Sequence, residues 1–89
     1  MFMVERPPVG KVIRLLRLEL KLTQIEFAKR CGLTSQYLSL LELGKVNVSL
    51  DTLLVIAEQL GEPLSHVLSK AEDFELLKRP KSHRGKKSV

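Results

Sequence analysis

The 89-residue chain has a single cysteine, Cys31, so no internal disulfide can form. It has no tryptophan, one tyrosine and three phenylalanines, and a core must therefore be built from interlocking Leu, Ile and Val. Long apolar runs are missing as well: Leu53–Ala57 is one of the longest, far short of the ~18 residues that a membrane span requires. No basic start followed by an apolar run and a small-residue cleavage site marks the N-terminus as a secretory signal. Together these absences predict a soluble chain in a reducing cytoplasm. The length is that of one domain and no second folded domain is expected; a chain this short buries only roughly 60% of its unfolded surface, so the core should be modest.

Chemistry is equally sparse. There is no paired nucleophile and base and no phosphate-cradling glycine loop, and the chain is too short to enclose a substrate, so no enzyme is expected. His66 and His83 with Cys31 lack metal-ligand spacing, and neither metal nor cofactor is expected. Glu26, Glu42 and Glu58 read as surface or structural groups, and Cys31 as a small buried apolar residue.

What the chain does have is positive charge, +5 overall, but its placement matters more than its size. Residues 78–89 hold six of the fifteen basic groups and no acid, which leaves nine basic against ten acidic groups in residues 1–77. Net charge therefore does not by itself mark the folded part as a binder of polyanions. The segment 78–89 lacks the apolar surface that offsets ordering entropy and reads as a basic disordered tail.

Apolar periodicity and caps divide the remainder into helices. Residues 1–8 end in Pro7-Pro8 and read as an extended arm. From Val9 to about Leu20, the residues Val9, Ile13, Leu16 and Leu20 recur at helical spacing, flanked by Arg14 and Arg17. Thr23 with Glu26 forms a capping box for a second helix, about Gln24 to Cys31, which Gly32 stops. Thr34 caps a third, Ser35 to about Leu43, with Leu38 and Leu41 inward and Gly44 behind it. Ser49 caps a fourth, about Leu50 to Leu60, with Asp51 near its positive end and Gly61 at its close. Pro63 opens a short fifth helix with Leu64, Val67 and Leu68, continued weakly through Phe74 and Leu77. The expected fold class is all-α: a compact bundle of about five helices over 9–70, with a weak extension over 71–77.

Two short helices joined by a glycine turn, the second opened by small polar residues, can present one helix end to the major groove of a DNA duplex. The groove, about 12 Å wide, accepts one helix. The third helix hides Leu38 and Leu41 and offers Ser35, Gln36, Ser39 and Leu40 on its other side. The stretch Leu22-Thr23-Gln24, Ala28, Gly32-Leu33-Thr34-Ser35-Gln36-Tyr37-Leu38-Ser39, Leu41-Glu42, Gly44-Lys45 and Asn47-Val48-Ser49-Leu50 resembles the Cro/CI-like (lambda-repressor-like, XRE) helix-turn-helix family. The resemblance spans about Val9 to Leu68.

That resemblance implies a sequence-specific regulator of transcription, a repressor acting as a homodimer on double-stranded operator DNA. It also implies roles by position. Gln24 would bond a phosphate and brace Gln36, while Ser35, Gln36 and Ser39 reach base edges. Gln36 carries most of the discrimination, since a glutamine amide can engage adenine N6 and N7 together. Tyr37 and Lys45 would hold the DNA backbone, as would the amide ends of the second and fourth helices, and Thr34 is chiefly the cap. Arg17 and Glu42 would form a buried ion pair joining the first helix to the third.

Several residues depart from the family pattern. Leu40 replaces a long polar base reader and can touch only thymine methyls, and Leu43 replaces another polar or basic group. Lys21 stands where glycine commonly turns the chain, at a strain of ~1 kcal/mol or more if left-handed. Val12, Leu15, Leu18, Ile25 and Val55 are apolar where exposure is expected, and the first three form a second stripe on helix one. That surplus fits a homodimer face or a different protein partner, such as the toxin bound by an antitoxin. Asn47-Val48-Ser49-Leu50 bears a loose likeness to restriction-modification controller proteins. Leu40, Leu43 and the near-neutral domain also fit a protein-interaction module that has lost DNA binding.

Overall fold

The structure, a computed structural model, describes residues 8–78, with side chains described through Phe74. The expected arm (residues 1–7 of it) and the basic tail beyond Lys78 lie outside the described residues. Five helices follow in order: α1 (Val9–Glu19), α2 (Gln24–Cys31), α3 (Ser35–Glu42), α4 (Leu50–Leu60) and α5 (Leu64–Lys78). No strand occurs among the described residues, so the fold is all-α.

Local chemistry sets the starts of three helices. The Thr23 hydroxyl accepts from the Glu26 amide at 3.1 Å, and the Thr23 amide donates back to Glu26 Oε1 at 2.9 Å. These bonds stabilise the ionised Glu26 carboxylate and hold its pKa below the ordinary value, the Thr23 backbone amide contributing most. Thr34 accepts from the Tyr37 amide at 3.0 Å and Ser49 from the Thr52 amide at 3.1 Å, opening α3 and α4. Gly32 ends α2 in the left-handed region, φ +71°, and thereby aims the chain into α3 after two residues.

The core lies where α1 meets α3, α4 and α5, with α2 closing over α3 and α4. Its largest fully buried side chains are Phe27, Ile13, Leu38, Ile56, Val12 and Val67. Two expectations for α1 are overturned here. Val12, assigned to an exposed second stripe, is 1% accessible, because α1 is covered from more than one side and its buried arc is wider than a single amphipathic stripe. Leu20, assigned to the inward stripe, is 46% accessible: it caps α1 at the point where the chain turns away. Leu15, Leu18, Ile25 and Val55 are exposed.

α5 runs unbroken from Leu64 to Lys78, through the segment expected as a weak continuation. Ala71 at its midpoint is fully buried and Phe74 beyond it packs against the core, so tertiary contact supports a segment whose own apolar pattern is faint. Leu68, by contrast, is exposed.

Gly10 explains how closely α1 approaches α3. A Cβ at this position would lie 2.3 Å from the Leu41 carbonyl oxygen and 2.9 Å from that of Glu42, both backbone atoms. Only glycine lets the first turn of α1 rest on the last turn of α3. Lys21, at φ +61°, is the one non-glycine residue with positive φ among the described residues. It turns the chain from α1 towards α2 at a cost of about 1 kcal/mol.

Candidate nucleic-acid interface

α3 has two faces of opposite character. Leu38, Leu41 and Glu42 are buried, whereas Gln36, Leu40 and Leu43, at spacings of four and three, are exposed, with Ser35 and Ser39 half-buried beside them. Leu40 is 42% accessible and Leu43 65%. Tyr37 is half-buried against the core edge, and the Lys45 side chain is exposed just past the helix, where its amide closes the turn onto the Leu40 carbonyl at 2.9 Å. The Thr34 hydroxyl is occupied as the cap.

The orientation of this face depends on one buried cluster. Arg17 donates through Nε to Glu42 Oε2 at 2.7 Å and through Nη2 to Glu42 Oε1 at 3.0 Å, a fork-to-fork pair with 6% and 1% side-chain exposure. Its remaining nitrogen, Nη1, donates to the Leu22 carbonyl at 2.7 Å. A single guanidinium therefore joins α1, the chain leading into α2, and the last turn of α3.

Gln24 enters the same cluster. Its Nε2 donates to Glu42 Oε1 at 2.9 Å, so its amide is held by Glu42 rather than bracing Gln36. No feature of spacing indicated this bond, since Gln24 and Glu42 stand eighteen residues apart on different helices. Gly10 likewise went unread in the sequence, where a glycine in a first helical turn has no distinguishing signal. The two helices of the motif are thus fixed to each other and to α1 by polar contacts behind the α3 surface, and Ser35, Gln36, Ser39 and Leu40 ride on a rigid support.

Cys31 at the end of α2 is half-buried rather than fully buried. Burial still pushes its thiol up to about 11, which keeps it protonated at neutral pH and poorly nucleophilic. Among the described residues, no His, Cys, Asp and Glu cluster could hold a metal ion, and no helix is long and apolar enough to cross a membrane.

Comparison with known proteins agrees with this geometry. The helix-turn-helix family matches residues 13–67. Over 62 residues, 70% of this chain, the sequence is 37% identical to the immunity repressor protein of Bacillus phage phi105, of which the match covers 43%. The chain therefore spans less than half of that relative. It is 45% identical over 62 residues to the uncharacterised HTH-type transcriptional regulator y4dJ of Sinorhizobium fredii (strain NBRC 101917 / NGR234), covering 70% of this chain and 78% of that one.

Among solved structures, the clp gene regulator ClgR from Corynebacterium glutamicum superposes with a TM-score of 0.79 at 29% identity, covering 85% of this chain and 81% of that one. The hypothetical transcription factor NHTF from Neisseria gives 0.67 at 27% identity, with 76% and 86% covered. The matched region contains α2, the Gly32 turn and α3 in full, and the chain belongs to the XRE-type (Cro/CI-like) helix-turn-helix family of DNA-binding transcription regulators.

Proposed function

We propose that this chain is a cytoplasmic, sequence-specific repressor that binds operator DNA as a homodimer. The observation that carries the reading is the α3 surface: Gln36 and Leu40 stand exposed while the opposite side of the same helix is buried and locked to Arg17. A helix supported in this way presents base-reading groups at low entropic cost on binding.

In this reading Gln36 discriminates bases through its amide, while Ser35 and Ser39 add less selective contacts. Tyr37 and Lys45 lie against phosphates and set register, Gln24 donates to a phosphate the second Nε2 hydrogen that its bond to Glu42 does not use, and Thr34 fixes the N-terminus of α3. Dimerisation would use the exposed leucines of α4 and α5, Leu50, Leu54 and Leu68, and would place two half-sites about 34 Å apart.

Selection from a random duplex library followed by footprinting tests the proposal. The expected product is an inverted repeat with that spacing. Gln36→Ala is expected to lose about 1–3 kcal/mol of discrimination at one base pair and to keep nonspecific binding unchanged. Equal weakening on all duplexes, or no weakening, removes Gln36 from the base-reading role.

A second reading, an antitoxin or other regulator with a protein partner, draws on Leu15 and Leu18, which stay exposed three residues apart on α1. Sedimentation distinguishes the homodimer: a monomer at tens of micromolar counts against it.

A further inference from the structure

We infer that Leu40 reads a thymine: each operator half-site carries a T whose C5 methyl group packs on the Leu40 side chain, within about two base pairs of the base engaged by Gln36. The inference rests on the DNA-binding reading proposed above and names the base that reading leaves open.

Leu40 lies one turn beyond Gln36 on the same exposed face of α3. Four residues advance a helix by about 6 Å, and successive bases on a strand are about 3.4 Å apart, which sets the separation. Helical side chains lean towards the N-terminus, so Leu40 projects back towards Gln36 and the end of α3 that enters the groove. Leu43 is more exposed, but it follows the last residue of α3 and stands farthest from that end.

The chemistry then selects the base. Leucine has neither donor nor acceptor, and a base edge pressed against it loses water from its polar atoms without compensation. In the major groove every base presents a polar edge, and thymine alone adds a methyl group beside its O4 acceptor. Leu40 thus favours T by burying its methyl and penalises the other three by desolvation. Part of the leucine, 42% of its surface, is open in the free protein while its neighbours Leu38 and Leu41 are buried, so that exposed part is apolar surface the fold does not use.

The test uses the full chain and the half-site enriched from a random duplex library. Each thymine is replaced singly by deoxyuridine, which removes only the methyl group. One replacement, within two base pairs of the position sensitised by Gln36→Ala, is expected to weaken binding about fourfold, the value of one buried methyl. Leu40→Ala is expected to melt like the parent, to bind the thymine duplex more weakly, and to be indifferent to that replacement. Leu40→Gln, a second variant, is expected to shift the base selected at that position away from T.

Indifference of the parent to every deoxyuridine overturns the inference while leaving DNA binding intact. So does an undiminished methyl effect in Leu40→Ala, or loss of dimerisation in that variant with its methyl sensitivity retained. If the library yields no enriched duplex, the DNA-binding reading itself fails, and this inference with it.

Discussion

The two sides of α3 meet opposite surroundings. Inward, Leu38 and Leu41 fill the core and Glu42 is gripped by Arg17 and Gln24; outward, the side chains of Gln36 and Leu40 stand exposed. One eight-residue helix therefore carries stability on one face and, in the proposed reading, recognition on the other. The division teaches that an exposed helix face need not be stabilised by its own contacts, provided that the reverse side is over-determined. Substitutions on the two faces should accordingly separate into those that unfold the chain and those that change only which DNA it holds.

The largest effect is expected on the buried side. Glu42→Ala leaves the Arg17 guanidinium without its carboxylate in a nearly dry site and should cost about 3–5 kcal/mol of folding stability in urea denaturation. For a chain whose total is about 5–15 kcal/mol, that loss is close to unfolding. A loss under 1 kcal/mol would show that water reaches the pair and that the two sides of α3 are less distinct than described.

Gly10→Ala should come next, at about 1–3 kcal/mol, as the new methyl meets two α3 carbonyls and forces α1 and α3 apart. Because helix propensity alone favours alanine by about 1 kcal/mol, a stabilised variant would contradict the close approach outright. On the exposed side, Gln36→Ala should leave urea denaturation within about 0.5 kcal/mol of the parent, its effect confined to discrimination between duplexes. A clear loss of stability there would blur the comparison from the opposite direction.

A modest shift in the stabilising direction concerns neither face. Lys21→Gly should raise the thermal midpoint modestly, by the equivalent of up to ~1 kcal/mol, because glycine occupies φ +61° without the steric cost that lysine bears, less the backbone entropy that glycine loses on folding. An unchanged or lower midpoint would mean that the entropy term cancels the relief of strain.

Much of this organisation was legible from the residues alone. α2 and α4 begin and end where their caps and glycines indicated, since Thr23, Ser49, Gly32 and Gly61 act through bonds and dihedrals only a few residues away. The split of α3 into Leu38 and Leu41 against Gln36 and Leu40 followed from helical period in the same way. Legibility failed where a residue's environment comes from distant chain. Val12 is covered by packing on more than one side of α1, Leu20 is exposed because the helix stops beneath it, and Ala71 is too small to register as a core residue until α5 is laid on α1.

The candidate site shows the same boundary. The exposed face of α3 was expected from helical spacing and its proposed reading residues from the family resemblance, whereas the bond from Gln24 to Glu42 and the close approach at Gly10 were not foreseen. Each joins atoms that no periodicity connects.

Helix number, most helix limits and the division of α3 were written in the amino-acid order, because capping bonds, glycine dihedrals and a 3.6-residue repeat operate over a turn or two of chain. The wider buried arc of α1, the tight seat of its first turn on α3, and the capture of Gln24 by the Arg17–Glu42 pair were settled only when remote segments met. Packing and desolvation depend on what surrounds an atom in space, and neighbours along the chain do not specify that surrounding.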